Sequence, residues 1–225
     1  PYGGRIGYIT DGVFRTDAEV DEYLNAYDVQ FGVPGVGRIK YTDVNGDGKI
    51  TTSDQAYIGS DLPVFQGGLN FSASYKNFDI SMFFNGMIRK AYNTSKLYTD
   101  FFPLGEGLGN HSTRLLDAMQ GYYDYLATGT YTSNYAALTT LNVNNENLAS
   151  DWYVEDGSFL KLKNLVIGYT IPENVLKTLK LRSARVYLQA QNVFTLTNYS
   201  GPDPEALGYP YPFARSYIFG INFGF

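Results

Sequence analysis

The chain has 225 residues, and its 21 Tyr and 15 Phe bring the aromatic content to 16%, while Cys is absent. A formal net charge of -5 without a basic stripe removes any electrostatic case for binding nucleic acid. No apolar run approaches ~20 residues, which excludes a membrane-spanning helix but not spanning strands, since those are apolar only at alternate positions.

The first 65 residues are predicted to form a loop region that carries local structure. The sequence begins at Pro1 without a Met or a signal peptide, and we therefore expect a processed protein or a piece of a longer one. Thr16 and Glu19 fit a capping box and predict the start of a helix. Apolar residues follow at helical spacing, namely Val20, Tyr23, Leu24 and Tyr27.

Residues 43–54 fit an EF-hand-type calcium loop, with Asp54 at the twelfth position in place of the usual Glu. Oxygen atoms spaced in this way can converge on a hard cation, and Gly48 at the sixth position permits the sharp turn. The predicted Ca²⁺ ligands are Asp43, Asn45, Asp47, Lys49 (through its carbonyl) and Asp54. The ion would make the loop rigid and would not take part in catalysis. The alternative is a turn stabilised by Asx hydrogen bonds that holds no metal.

Five later segments alternate bulky apolar residues with small or polar ones, which is the period of a β-strand whose two faces meet different surroundings. The predicted strands are about 66–75, 78–87, 158–171, 184–196 and 214–225. Their polar faces hold Asn, Gln, Ser, Gly and Arg, which suit a hydrated lumen better than a dry core.

The last strand ends at an aromatic residue, Phe225, and has one bulky apolar face. That face consists of Tyr217, Phe219, Ile221, Phe223 and Phe225. Taken alone, the strand fits a soluble sandwich, with this face toward a core, as well as a membrane barrel, with this face toward lipid.

The connections between the predicted strands are of two kinds. Residues 76–77 form a tight turn and 172–183 a modest link, whereas 88–157 and 197–213 are long. Short periplasmic turns and long extracellular loops are typical of outer-membrane barrels, so this asymmetry favours an antiparallel transmembrane β-barrel. The long loops and residues 1–65 are then expected on the extracellular side.

The long loops carry local helices but no catalytic constellation. Residues 113–127 place apolar side chains at helical spacing, which we interpret as packing within the loop. The single His, His111, lies outside any HExxH, GxSxG or P-loop motif. Glu155 and Asp156 are neighbours in a predicted turn and are poorly placed to face one reacting centre together. We therefore do not expect an enzyme.

Several blocks of the sequence follow one order along nearly the whole chain. They are GYITDGVF at 7–14, GRIKYTDVNGDG at 37–48, IGSDLP at 58–63, WYVEDGSFLKLKNL at 152–165, GYTIP at 168–172, RVYLQAQNVFT at 185–195 and GPDPE at 201–205. Together these blocks resemble the SusC/RagA-type TonB-dependent transporters of Bacteroidetes.

The resemblance implies a 22-stranded outer-membrane barrel with an N-terminal plug and a SusD-like surface lipoprotein as its lid. Such a transporter imports oligosaccharides or peptides and is driven by the TonB complex, which acts through an N-terminal part absent from this sequence. About five strands cannot close the barrel, so we expect a C-terminal portion that pairs with the remaining barrel and faces outer-membrane lipid. Phe225 resembles the signal read by the outer-membrane assembly machinery.

Two other functions remain open from the sequence. A soluble, Ca²⁺-stabilised, β-rich module that binds glycans would fold in buffer without detergent. An outer-membrane lipase or protease would need a nucleophile paired with a base, which His111 is badly placed to supply.

Overall fold

The fold is taken from a computed structural model, which describes residues 3–100, 110–179, 181–207 and 211–225. The described residues divide into two compact units. The mixed unit lies within Pro1–Leu62, Lys90–Glu155 and Leu207–Tyr209. The sheet unit lies within Pro63–Arg89, Asp156–Ala206 and Pro210–Phe225.

Strands make up most of the regular structure, and helices are few. The strands are β1 (Gly4–Tyr8), β2 (Thr10–Val13), β3 (Asp28–Val29), β4 (Ile39–Tyr41), β5 (Lys49–Ile50), β6 (Gln55–Ser60), β7 (Phe65–Tyr75), β8 (Phe78–Ile88), β9 (Lys90–Tyr92), β10 (Val154–Asp156), β11 (Phe159–Thr170), β12 (Ser183–Thr197) and β13 (Ser216–Gly224). The helices are α1 (Asp17–Ala26), α2 (Thr94–Asp100), α3 (Arg114–Thr128) and α4 (Glu173–Leu179), and short 3-10 helices lie at Thr52–Asp54 and Asp151–Tyr153. No helix in the described part of the chain is long and apolar enough to cross a membrane.

The sheet unit is built on one antiparallel sheet of five strands in the order β13-β12-β11-β8-β7. Its strands lie within two residues of the segments predicted from alternation. The tight turn at 76–77 joins β7 to β8, and α4 lies in the link between β11 and β12. The long connections leave from the opposite end, where Phe65 pairs with Ile88 and Phe159 with Thr197.

One face of this sheet is apolar and exposed. The strand register aligns Ala73, Ile80, Ile167, Leu188 and Phe219 in one row across all five strands. Leu188 is 48% exposed and Phe219 is 68% exposed. Flanking rows add exposed side chains on the same face, namely Leu69, Phe71, Tyr75, Phe78, Tyr217, Ile221 and Phe223. Within the described residues, no second sheet covers this face as it would in a soluble sandwich.

The mixed unit has a hydrophobic core of its own, built from segments that the sequence presents as separate loops. Tyr8, Phe14, Ile39, Ile50 and Tyr131 are each at most 3% exposed and belong to one cluster. Short strand pairs frame the core, with β1 against β6, β2 against β4 and β3 against β5. Chain segments on both sides of the β7–β8 hairpin therefore fold together.

The start of α1 forms only half of the predicted capping box. The Thr16 hydroxyl accepts the backbone amide of Glu19 at 3.2 Å, as predicted. The Glu19 carboxylate, however, accepts the amide of Arg15 at 2.7 Å, one residue before the cap. The helix then buries Val20 and Tyr23 against the core.

Helix α3 coincides with the predicted helix at 113–127, but the interpretation of its apolar side chains is largely wrong. Leu115 is buried together with Ala118 and Gly121, on the face that meets the unit. The remaining large apolar side chains are exposed, namely Leu116, Met119, Tyr122, Tyr123 and Leu126. Helical periodicity located the helix correctly but did not distinguish the buried face from the exposed one.

Candidate functional site

The second face of the five-stranded sheet is polar, and an ion pair crosses one of its strands. Asp79 on β8 pairs with Gly168 of β11, whereas Arg185 on β12 pairs with Thr170 and extends its side chain over Gly168. The Arg185 guanidinium donates from Nε to Oδ1 of Asp79 at 3.0 Å and from Nη2 to Oδ2 at 2.5 Å. A Cβ on Gly168 would lie 2.3 Å from that Nη2 and 2.4 Å from that Oδ1. The missing side chain of Gly168 is therefore what allows the two charges to meet.

Amides and hydroxyls extend this polar face along the strands. The Gln189 side-chain amide donates to Oδ1 of Asn164 at 3.1 Å, and the hydroxyls of Ser72 and Ser81 lie 3.3 Å apart. Groups of this kind can both donate and accept hydrogen bonds. The face is thus suited to contact with water and with hydrophilic solutes.

A segment after β12 folds over the polar face at the end from which the long connections leave. We call residues 198–206 the strap. Lys161 of β11 is 2% exposed, and its Nζ lies 3.0 and 3.1 Å from the carboxylate oxygens of Asp203 and 3.0 Å from Oε2 of Glu205. Lys163 pairs with the other oxygen of Glu205. The four side chains form a cluster of two positive and two negative charges.

Backbone groups hold the strap as well. Arg89 donates to the carbonyl oxygen of Pro204, and the Asp203 carboxylate accepts the amides of Glu205 at 3.0 Å and of Phe213 at 3.3 Å. Burial acts to raise the pKa of Asp203 and of Glu205, but the hydrogen bonds and the nearby lysines outweigh it and lower both pKa values. Both carboxylates are therefore charged at neutral pH.

The loop that carries the predicted Ca²⁺ ligands is closed by hydrogen bonds to backbone amides. The Asp43 carboxylate accepts the amides of Gly46 at 2.7 Å and of Gly48 at 2.8 Å. Asp54 is 0% exposed and accepts the amide of Val44 at 3.0 Å. Gly48 has a φ of 76°, the left-handed conformation that the sharp turn was predicted to need.

Three of the five predicted ligands are carboxylates, those of Asp43, Asp47 and Asp54. Among the residues that the structure describes, no group of three or more His, Cys, Asp or Glu side chains is placed to hold a metal ion. Asn45 Oδ1 accepts the amide of Asp47 at 2.8 Å, and Asp47 Oδ1 accepts the amide of Lys49 at 2.9 Å, as in Asx turns. The donor set nevertheless fits a hard cation, because all of the predicted donors are oxygens.

The other residues singled out from the sequence make local contacts. His111 Nδ1 lies 3.3 Å from a backbone carbonyl oxygen, and Glu155 accepts an asparagine side-chain amide at 3.1 Å. Asp156 accepts the amide of Ser158 at 2.9 Å. Phe225, the predicted assembly signal, is 92% exposed.

The ion pair and the strap cluster were not predicted from the sequence. Asp79, Gly168 and Arg185 belong to three different strands, and Lys161 and Asp203 are 42 residues apart. A glycine inside a strand was the one available signal, because such a glycine often marks a close approach of neighbouring groups.

No family model matches the chain, but individual proteins do. The chain is 32% identical over 201 residues to TonB-dependent receptor P3 of Formosa agariphila, and the match covers 82% of this chain and 19% of that receptor. It is 28% identical over 192 residues to TonB-dependent receptor SusC of Bacteroides thetaiotaomicron, covering 82% of this chain and 17% of SusC. Its fold matches a solved structure of the RagAB peptide transporter with a TM-score of 0.68 at 22% identity, covering 98% of this chain and 22% of that one.

These likenesses and the strand-rich fold define the class, and the chain belongs to the TonB-dependent receptors. The matches to SusC and to the RagAB fold confirm the resemblance to the SusC/RagA type that the sequence blocks carry. The chain spans about a fifth of the length of the relatives it matches. Those relatives are receptors and a transporter, which agrees with the expectation that this chain is not an enzyme.

Proposed function

We propose that the chain forms part of the wall of a TonB-dependent outer-membrane importer. In this proposal the apolar face of the sheet contacts lipid, and the polar face lines the lumen. The supporting observation is that the two faces of the sheet differ. One face carries exposed apolar side chains such as Leu188 and Phe219, and the other carries the ion pair between Asp79 and Arg185. Exposed apolar surface of this extent is unfavourable in water and favourable against acyl chains.

The remaining barrel would come from the rest of a longer polypeptide. Strands β7 and β13 are the edges of the sheet within the described residues, and an unpaired edge inside a bilayer is costly. Five strands are too few to close a barrel of the proposed 22-stranded size. We infer that both edges pair with further strands of one longer chain, of which this sequence is a portion.

The ends of the sheet suggest an orientation. The tight turn at 76–77 and the link through α4 share one end, and the long connections leave from the other. In outer-membrane barrels the short turns face the periplasm, so we assign the long connections and the mixed unit to the extracellular side.

The partners follow from the family. We propose that a SusD-like lipoprotein closes the extracellular mouth, that a plug fills the lumen, and that the TonB complex drives transport through the N-terminal part. Oligosaccharides and peptides are the two proposed substrate classes, and the RagAB protein of the matching structure is a peptide transporter.

A soluble glycan-binding module is not favoured as the alternative. It would leave apolar side chains such as Phe71 and Phe219 in water, at 47% and 68% exposure, with no layer to cover them in the described part of the chain. The matched relatives are, in addition, TonB-dependent receptors.

The proposal is tested by fractionating cells that produce the full-length protein and detecting this segment with an antibody. We expect an outer-membrane band several-fold heavier than 25.1 kDa, and loss of growth on oligosaccharides or peptides when either the gene or TonB is deleted. A native 25.1 kDa polypeptide in the soluble fraction would contradict the proposal.

We also propose that the loop at 43–54 binds Ca²⁺ and is made rigid by it. The ion would draw on the oxygens of Asp43, Asn45, Asp47, Lys49 and Asp54. Chelation should lower the unfolding temperature of the full-length protein in detergent, and Ca²⁺ should restore it where Mg²⁺ does not. The Asp43→Asn variant should lose this response and the exposed helix variant Asp21→Asn should keep it. An identical response of both variants, or none in the wild type, would refute the site.

A further inference from the structure

We propose that Lys161 is a positioning residue that locks the strap onto the polar face, so that the strap is a fixed element at the mouth of the lumen. The identity of this face as a lumen rests on the proposed function. The contacts that hold the strap do not depend on it.

The strand register places the anchor of the lock on the polar face. Lys161 pairs with Asn85 of β8 and Thr195 of β12, and Asn85 is the next residue on the same face of β8 after Phe83, the partner of Asn164. It lies near the start of β11, at the end from which the long connections leave. The strap therefore crosses the face at the end that we assign to the extracellular mouth.

The strap alone satisfies the ammonium group of Lys161. An ammonium has three N–H donors, and three carboxylate oxygens of Asp203 and Glu205 lie within 3.1 Å of Nζ. Lys163 takes the remaining oxygen of Glu205, so the cluster is electrically neutral. Displacement of the strap would break all of these contacts together, because both carboxylates are on the strap.

Further contacts support this arrangement. Within the strap, Tyr199 is 6% exposed, and its ring packs against Gly201 so closely that a Cβ there would be 2.3 Å away. Arg89 binds the carbonyl oxygen of Pro204 in the middle. Beyond the strap, the ring of Phe213 lies 5.4 Å from Nζ of Lys161, within the range of a cation–π contact.

The lock can be tested by measuring distances between spin labels in the full-length transporter in detergent. Labels would be attached to cysteines introduced at Pro202 on the strap and Gln191 on β12, both exposed, in a chain that has no Cys of its own. Cysteines elsewhere in the polypeptide would be replaced by serine. The compared variants are Lys161→Met, Lys161→Arg and the exposed-lysine control Lys177→Met.

We expect one narrow distance distribution in the wild type, in Lys161→Arg and in Lys177→Met, and a distribution at least two-fold wider in Lys161→Met. A broad distribution in the wild type, or a Lys161→Met distribution as narrow as the wild type, would overturn the lock. If Lys161→Met does not fold, Glu205→Gln decides, since it removes only part of the cluster and should give an intermediate width. If neither Lys161→Met nor Glu205→Gln folds, the lock is also overturned, because the cluster is then required for folding of the protein and not only for holding the strap.

Import measured on the same proteins separates this inference from the proposed function. The expected widths in a protein that imports neither oligosaccharides nor peptides would uphold the lock and refute the importer. Normal import by a wild-type protein with a broad distance distribution would refute the lock and uphold the importer.

Discussion

Replacing Gly168 by alanine should break the ion pair that crosses β11. The added methyl would lie 2.3 and 2.6 Å from nitrogens of Arg185 and 2.4 Å from an oxygen of Asp79. Ordinary contact needs about 3.5 Å or more, so both side chains would have to move by about 1 Å. The two side chains are 32% and 36% exposed, so their pairing contributes about 0–1 kcal/mol. The methyl would meet only the ends of two flexible, partly exposed side chains that can move aside, so the expected loss in unfolding free energy is mainly that of the pair, about 0–1 kcal/mol.

The assay is denaturant unfolding of the full-length protein in detergent. Gly86→Ala is the matched control, because a Cβ at that strand position would meet its nearest atoms at 3.4 and 3.5 Å. In an Asp79→Ala, Arg185→Ala background the methyl has room, so Gly168→Ala should cost less than about 0.5 kcal/mol there. Equal costs for Gly168→Ala and Gly86→Ala, or a full cost that persists in the double variant, would refute this explanation.

Three further outcomes are expected. Arg38→Met should cost about 3–5 kcal/mol of unfolding free energy, because it leaves Glu146, whose side chain is 2% exposed, without its ion pair. The exposed control Arg5→Met should cost about 1 kcal/mol or less. Equal losses in the two variants would contradict the assignment of Arg38 and Glu146 as a buried ion pair. Leu188→Arg should destabilise the membrane-embedded protein by about 2–4 kcal/mol while Gln189→Arg has little effect, and the reverse order in the same unfolding assay would show that the faces are assigned wrongly. Because folding lowers the pKa of both strap carboxylates, their ion pairs stabilise the strap fully above the unfolded values of about 4, and this stability is lost as the pH falls through the lower folded values. The spin-label distribution should therefore stay narrow at neutral pH and widen below about pH 4, and widening near pH 6 would contradict the assignment.

The strands could be predicted because the two faces of the sheet carry different kinds of side chain, which alternate along each strand with a period of two. Each strand alternates a side chain such as Leu188 on the apolar face with one such as Gln189 on the polar face. That signal is local and survives without knowledge of any partner. Alternation alone fits both a soluble sandwich and a membrane barrel. The sequence blocks that resemble the SusC/RagA type favour the barrel.

The mixed unit and the strap could not be predicted in the same way. Arg38 and Glu146 form a buried ion pair although 108 residues separate them, and neither has a neighbouring pattern that indicates the other. Lys161 and Asp203 are linked across 42 residues for the same reason. Long-range pairs of this kind depend on how the chain folds back, which no short sequence period records. The segments at 1–62 and 90–155 were therefore expected as separate loops and instead share one core.

The central claim, that one face of the sheet meets lipid and the other meets water, can be measured directly by fluorescence quenching. A bimane label would be placed on single cysteines at Leu188, Gln189, Ile218 and Phe219 of the full-length protein in bilayers that contain brominated lipids. Leu188 pairs with Phe219 on the apolar face, and Gln189 pairs with Ile218 on the polar face. We expect strong quenching at Leu188 and Phe219 and weak quenching at Gln189 and Ile218, even though Ile218 is itself apolar. Equal quenching at all four positions, or stronger quenching at Gln189 and Ile218, would contradict the account.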